Sequence, residues 1–212
     1  TVVQNAIDTD ELKSFSNNVT ESSIEDVRKK LGLVGHHIAV FCGSIYKGKR
    51  IDFVIEASRM IREKIMDFEL IIIGDGPEAH LAQKAASKYN WIHYVGARFG
   101  CEKVVFMKLG KVMLLPFIVG LSILDSFALG IPIITMDNES HSPEIAYLKD
   151  NVNGIMTANT FDDYVSSVVE MFNDSDKLQK LKEQCICDSE KYTIHNMAGN
   201  FTDGILKCLR NG

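Results

Sequence analysis

The sequence predicts an α/β protein built on a doubly wound parallel sheet that ends in helices, and three observations predict it. Short apolar runs that read as strands alternate with helical periodicities through most of the 212 residues, the pattern of consecutive β–α units. The strand runs are continuously apolar instead of alternating, so both of their faces are expected to be covered, as in parallel sheets. Glycine turns at 43, 74, 76, 96 and 120 follow the runs, marking strand ends that feed helix starts.

In chain order, residues 1–35 are the least regular, although Ser22 and Ser23 can cap a helix through Leu31, with Asp26 three residues after Ser23. Residues 37–42 (HIAVFC) are an apolar run ending at Gly43, and Ile51, Val54, Ala57, Ile61 and Ile65 then mark one face of a helix. Residues 70–73 (LIII) form a strand closed by Gly74-Asp75-Gly76-Pro77, with Pro77 suited to the first turn of a helix reaching about Tyr89. A strand over 91–95 stops at Gly96, and a short helix covers 102–109. Residues 112–115 are the most hydrophobic strand and are placed at the centre of the sheet. Gly120 turns the chain into a helix that starts at Leu121 and Ser122 and stops at Gly130; a strand over 132–136, another helix start over 141–144 and a short strand over 154–156 follow. Phe161, Tyr164, Val165, Val168, Val169 and Phe172 keep helical spacing. Residues 174–192 are polar with Leu178, Leu181 and Cys185 as anchors, and 194–209 offer a last apolar face.

Composition is that of an ordinary globular chain, 46% hydrophobic and 24% charged. The length fits one large or two small domains. With no convincing internal linker or repeat, residues 1–212 are read as a single domain. A net charge of -5 argues against a general nucleic-acid binder, whose surface needs excess Lys and Arg. The five cysteines (42, 101, 185, 187 and 208) are odd in number and scattered, which implies a reducing compartment without a disulfide framework. Cys185-x-Cys187 has no second pair or nearby His to complete a zinc set, and the histidines show no metal spacing. The most apolar stretch, 112–124, is broken by Pro116 and Gly120 and is too short to span a bilayer. No signal peptide is read at the start, and the strand-like beginning at Thr1 leads to the expectation of a piece of something longer, located in the cytoplasm.

If the sheet is parallel, the segments after successive strands gather at one edge: Gly43 to Arg50, Gly74 to Pro77, Gly96 to Phe99, Phe117 to Ser122 and Asp137 to Pro143. Helix starts at that edge present free N–H groups and a positive dipole end, which suits a phosphorylated ligand. Glycine lets backbone approach phosphate, and Lys or Arg neutralises it. The signals fall short of two common phosphate motifs. Gly74-x-Gly76 lacks the third glycine of the dinucleotide fingerprint. Gly43, Gly48 and Lys49 fit G-x-x-x-x-G-K, but Arg50 stands where a hydroxyl would hold Mg²⁺. No Asp-x-Asp pair sits where a bridging metal would be expected. Asp162 and Asp163 read as helix caps, and Asp8-Thr9-Asp10 as turn chemistry.

The ordered set of these segments resembles the C-terminal, donor-binding half of a GT-B glycosyltransferase of family-four type, a group of retaining, metal-independent sugar transferases. Val3-Gln4-Asn5-Ala6-Ile7-Asp8 resembles that family's "NGID" crossing. GSIYKGKRIDFVIEA from Gly43 resembles "GRL…KG…LI.A". Gly74-Asp75-Gly76-Pro77 resembles "G.GP", and GLSILDSFALGIP from Gly120 resembles the second half of the E-x7-E motif. Pro143-Glu144-Ile145 with Asn153-Gly154 completes the series. The match runs in register from residue 1 to about 160. The resemblance implies a Rossmann-like half of a GT-B fold, a nucleotide-sugar donor as substrate, no metal, and an N-terminal acceptor domain that lies outside this chain. It implies that Gly43, the Ser44 position and Lys49 lie on the diphosphate, and that amides of Val119, Gly120, Leu121 and Ser122 face the phosphates and sugar. Asp125 would take the ribose hydroxyls, and the loop from Gly96 to Arg98 the base. No residue of this half is assigned to catalysis on the acceptor.

Three positions depart from the family pattern. Ser44 replaces an arginine, so a diphosphate charge is missing, for which Arg98 or Lys47 are the candidates. Arg50 replaces the glycine after the lysine. Phe117, eight residues before Asp125, replaces the first motif glutamate that would hold donor-sugar hydroxyls. The function expected is sugar transfer to a carbohydrate or lipid-linked acceptor in bacterial surface-polysaccharide assembly, with peripheral membrane contact through the missing domain. The isolated chain would be inactive or nearly so. The alternatives are a non-catalytic sugar-nucleotide-binding module and a GT-B epimerase or phosphorylase. Simpler readings stand beside the site residues. Ser122-x-x-Asp125 is a capping-box-like pattern that needs no ligand, a lone lysine is usually solvated, His141 and Glu144 fit a helix start, and Glu144 a first-turn dipole partner.

Overall fold

The structure, a computed structural model, describes residues 3–210. Six strands form one sheet: β1 (His37–Cys42), β2 (Phe68–Ile73), β3 (Ile92–Gly96), β4 (Val112–Leu114), β5 (Ile133–Met136) and β6 (Gly154–Thr157). Every neighbouring pair is parallel, and the order is β3-β2-β1-β4-β5-β6. The chain builds outward from β1 to β3, returns, and builds outward again from β4 to β6. The order therefore reverses between β1 and β4, which is where an open α/β sheet leaves a crevice beyond its carboxyl edge.

The helices are α1 (Thr9–Asn18), α2 (Glu21–Leu31), α3 (Ile51–Lys64), α4 (Ala79–Lys88), α5 (Gly100–Lys108), α6 (Ser122–Leu129), α7 (Phe161–Asn173), α8 (Ser175–Ser189) and α9 (Ile194–Arg210). α3 packs with α4 and α7; α5 packs with α1, α2 and α6, and α6 with α8. Right-handed crossovers require this division into two layers. The sheet is buried from both sides, as its sequence anticipates: Ile38 to Cys42 and all of β2 and β4 are buried. Phe41, Phe68, Phe127 and Tyr164 are the largest side chains sealed in the core. The Tyr164 hydroxyl donates to the Ile134 carbonyl at 3.2 Å, so its polar tip is matched where burial pushes its pKa well up.

The structure corrects several local expectations. The front segment is helical: Asp8 is not a turn residue but the N-cap of α1, accepting from the Glu11 amide at 2.9 Å. Leu12 of α1 meets Val104 and Ala128 in a second small core, which is the long-range burial that makes α1 worth forming. The α2 cap is Thr20, two residues before Ser22 and three before Ser23; Ser23 closes its capping box from inside the helix. Thr160, not Asp162 or Asp163, caps α7, and Asp163 is the acceptor of its hydroxyl at 2.6 Å. The helix start expected over 141–144 is a 3-10 turn, Pro143–Tyr147. The strand-like beginning at Thr1 lies in part outside the described residues.

The loops after β1 and β2 are pressed together backbone to backbone. The Ile45 amide donates to the Asp75 carbonyl at 2.8 Å and the Glu78 amide to the Ile45 carbonyl at 3.0 Å. Gly74 has φ +147, and a Cβ there would stand 1.9 Å from the Gly43 carbonyl oxygen. Gly74→Ala is expected to cost about 2 kcal/mol or more, from backbone strain and a clash with main chain that cannot yield. A chain of this size would then lose several degrees of melting temperature, about 2–4 °C per kcal/mol. An unchanged thermal or urea midpoint would show that the loops do not approach this closely.

Candidate functional site

Two adjoining hollows of about 370 and 430 Å³ open beyond the carboxyl edge at the β1/β4 reversal. Gly43, Ser44, Ser122 and Asp125 line both. Arg98, Phe99, Lys103, Gly74 and Asp75 complete the first; Lys49, Ile118, Val119, Gly120, Leu121, Ser142 and Glu144 complete the second. Gly43, Ser44, Lys49, Arg98, Val119, Gly120, Leu121, Ser122 and Asp125, the positions assigned to the donor from the sequence, all lie in this lining, whereas Gly96 of the expected base loop does not.

The loop after β1 folds into a 3-10 turn, Lys47–Lys49, and leaves it through Arg50 in the left-handed region, φ 49. That conformation favours glycine, the residue that the resembling family has there. Here Arg50 is tied by its guanidinium to Asp52 at 3.1 Å and lies 5.2 Å over the Phe117 ring. The turn swings Lys49 inward under the loop between β4 and α6. Lys49 is buried, and its amine donates to the carbonyls of Ile118 at 2.5 Å and Val119 at 3.2 Å. Gly43 and Gly120 both face this amine: a Cβ would sit 3.8 Å from it at the first and 4.0 Å at the second. Gly120 has φ +60, which sends the chain from the Phe117–Val119 stretch into α6.

Around the amine, the backbone N–H groups of Val119, Gly120, Leu121 and Ser122 have no hydrogen-bond acceptor among the described residues. Free N–H groups at a helix start, a glycine approach and a buried cation are features suited to an anion. Burial pulls the Lys49 pKa down to about 8, against a smaller opposing pull from Cys42. The Ser122 hydroxyl donates to the Cys42 carbonyl at 3.2 Å, so it links the start of α6 to the end of β1 and does not cap its own helix.

Asp125 is buried and does not act as a capping-box partner either. Its Oδ1 accepts from the Lys103 amine of α5 at 2.8 Å. Burial pushes the Asp125 carboxyl above its usual range, and the Lys103 charge opposes this. The nearby Cys42 thiol is pushed to about 12, chiefly by burial and then by the Asp125 charge, so it is inert as a nucleophile. Sequence reading missed Lys103. The one local hint is a lysine in the first turn of a helix, where the dipole disfavours a cation and an acidic partner is therefore to be sought.

Arg98 lines the first hollow, pairs with Glu102 at 3.5 Å and lies 5.5 Å over Phe106. Lys47, the other candidate for the missing charge, lines neither hollow. Phe117 points away from both, its ring edge-on to Phe53 at 5.3 Å. His141 is turned into its own loop, bonded through Nε2 to the Met136 carbonyl at 2.7 Å, and lines neither hollow. Glu144 does reach the second hollow, where Asn5 donates to its carboxylate at 3.3 Å, while the neighbouring Ser142 hydroxyl is buried without a hydrogen-bond partner among the described residues. Among the described residues no group of His, Cys, Asp and Glu is arranged to hold a metal, and no helix is long and apolar enough to cross a membrane.

The sheet order and the hollows at its reversal define a doubly wound α/β domain, and the comparisons narrow it. Residues 36–174, more than half of the chain, match the family described as glycosyl transferases group 1, and the chain belongs to that family. No curated protein sequence matches it. Solved GT-B glycosyltransferases share its fold. Alr3699/HepE from Anabaena, in complex with UDP, has a TM-score of 0.78 at 15% identity over 98% of this chain and 57% of its own. WaaG, a glycosyltransferase involved in lipopolysaccharide biosynthesis, has 0.72 at 19%, over 96% of this chain and 55% of its own. The C-terminal domain of the group 1 family protein LpcC from Francisella tularensis has 0.67 at 19%, over 89% of this chain and 99% of its own. The chain therefore spans a little over half the length of the first two and nearly all of the third.

The Lys49 amine carries a stability test of its own. Its folded pKa of about 8 lies below the ordinary 10.5, so between these values the unfolded chain holds a proton that the folded chain has released. Stability then rises with pH across that interval. Urea unfolding of Lys49→Met should lack this rise, differing from the parent by about 2 kcal/mol in the change between roughly pH 7.5 and 10. Parallel pH profiles for the two proteins would mean that the amine is not buried.

Proposed function

We propose that this chain is the donor-binding half of a retaining, metal-independent glycosyltransferase of family-four type. The observation that carries the proposal is the convergence of the buried Lys49 amine, the Gly43 and Gly120 approaches and four free N–H groups on one hollow. In sugar transfer the leaving nucleoside diphosphate gains negative charge as the glycosidic bond breaks. A preorganised cation and helix start stabilise that charge without reorganisation. Lys49 and the amides of residues 119–122 take the diphosphate, Gly43 and Ser44 border it, Asp125 takes the ribose hydroxyls, and the Gly96 to Arg98 loop takes the base. The adjoining volumes, one around Asp125 and Arg98 and the other around Lys49, suit the two ends of a nucleotide-sugar. The UDP complex of the Anabaena relative supports the choice of ligand class.

The acceptor is a carbohydrate or a lipid-linked sugar, received by a domain outside this chain, and the process is bacterial surface-polysaccharide assembly on the cytoplasmic face of the membrane. The lipopolysaccharide role of WaaG and the shared fold support this reading. The chain alone is inactive or nearly so, because it lacks acceptor contacts. One observation favours a second reading, a sugar-nucleotide-binding module without transfer. Phe117 is packed against Phe53 where the family pattern has a carboxylate, and Ser44 supplies no charge.

Calorimetry with UDP, GDP and ADP tests both readings, and binding by none of them removes both. Transfer by the longer protein, made with its acceptor domain, separates them, and it should persist in excess EDTA; loss of turnover on chelation would contradict the metal-free mechanism. Lys49→Ala should weaken nucleoside-diphosphate binding by about 1.5–3 kcal/mol, the range for a hydrogen bond to a charged group. Affinity should hold below pH of about 8 and fall above it, because phosphate takes the ammonium form and the free amine has lost its proton there. An affinity that is level through pH 9 or so would place the diphosphate elsewhere.

A further inference from the structure

We propose that Lys103 is a positioning residue for the nucleotide: by binding Asp125 Oδ1 it fixes the carboxylate so that Oδ2 is left for the ribose hydroxyls. This rests on the donor-site reading above and adds a residue to it. The two side chains come from different helices, α5 and α6, and meet at 2.8 Å on the wall of the first hollow. Both are largely withdrawn from water, with side-chain exposures of 21% for Lys103 and 12% for Asp125. The pair is therefore screened far less than a surface ion pair. Asp125 Oδ2 receives no hydrogen bond among the described residues, although the carboxylate borders both hollows.

The need for Lys103 follows from the setting. Asp125 is one methylene shorter than the family's glutamate, so it has less freedom to reach a ribose on its own. A buried carboxyl without a cation drifts toward its neutral form. A neutral carboxyl offers one donor and loses half of its capacity to accept from two adjacent hydroxyls. The Lys103 charge opposes that drift. Cys42 at the end of β1 and Lys49 in the next hollow are the other titratable groups that act on this corner. With its thiol pushed to about 12, Cys42 carries no charge near neutrality and does not substitute for Lys103. The Arg98 guanidinium, the other cation of this hollow, pairs instead with Glu102.

The test reads ribose recognition, not affinity alone. UDP, GDP and ADP are titrated by calorimetry against their 2′-deoxy forms, using the whole chain. The ratio of ribo to deoxy affinity cancels the diphosphate contacts and the ligand's own phosphate ionisation. The parent should prefer a ribonucleotide by about tenfold, one well-made hydrogen bond to a charged group. Lys103→Met should reduce that preference to within about twofold near neutral pH and regain part of it as the pH rises, while Lys103→Arg keeps most of it. Asp125→Asn should abolish the preference, and adding Lys103→Met to it should change the ratio no further. Melting curves establish that each variant is folded, and Lys103→Gln replaces Met if the latter is not. Lys103→Met or its glutamine replacement keeping the parent's ratio would overturn the inference while leaving the donor site intact. A parent chain that binds no nucleotide would remove both.

Discussion

A lysine amine buried beneath a loop holds the carboxyl edge of this sheet together. Lys49 belongs to the turn after β1, yet two of its three donors go to the carbonyls of Ile118 and Val119, which lead from β4 into α6. β1 and β4 are the two strands between which the order reverses, so the contact spans the crevice that the topology opens. Taking an ammonium out of water is costly, and burial draws its pKa down to about 8. The fold meets that cost with two carbonyl acceptors, and the glycines at 43 and 120 leave the space beside the amine open. Remove the cation and the loop loses its anchor as well as its charge.

The rest of the edge is arranged around this point. The close apposition of the Gly43 and Gly74 backbones forms its rear wall, and the Ser122 hydroxyl on the Cys42 carbonyl fixes where α6 begins. A partly buried ion pair, Lys103 with Asp125, stands one hollow away. The two lysines differ in what they face: backbone carbonyls on one side, a carboxylate on the other. An anion suits the first, where the acceptors are neutral and the amides are free. Hydroxyls suit the second, where charge is already balanced. The proposed donor would lie along this edge with its diphosphate at the first lysine and its ribose at the second.

The departures from the family pattern have local explanations. Arg50 occupies a left-handed position that glycine would fill without strain, and Asp52 and the Phe117 ring hold it there. Phe117 itself joins Phe53, which in turn meets Phe161 and Tyr164, so the ring stands in an aromatic cluster outside both hollows, where the resemblance places a carboxylate. These substitutions are mutually consistent: the arginine covers the ring, and the ring is drawn out of the hollow.

Continuously apolar runs, short and closed by glycine turns, pointed to strands covered on both faces as in a parallel sheet, because such segments have no polar side to leave in water. Glycines after those runs marked the strand ends, and the letters around Gly43, Lys49 and Gly120 were enough to expect that these positions meet in one hollow, the candidate site. Helix ends were read less well where the cap lay a few residues from the most obvious one, as at Thr20 and Thr160, since several hydroxyls compete within a turn. What only the tertiary structure decided are the partnerships between distant elements. The docking of α1 through Leu12 on Val104 and Ala128, the meeting of Lys103 with Asp125 and the turning of Phe117 onto Phe53 are of this kind. Local periodicity reports which way a side chain leaves its own helix or strand. It carries no information on what another element, many residues away, will bring against it, and burial makes those encounters decisive for charge.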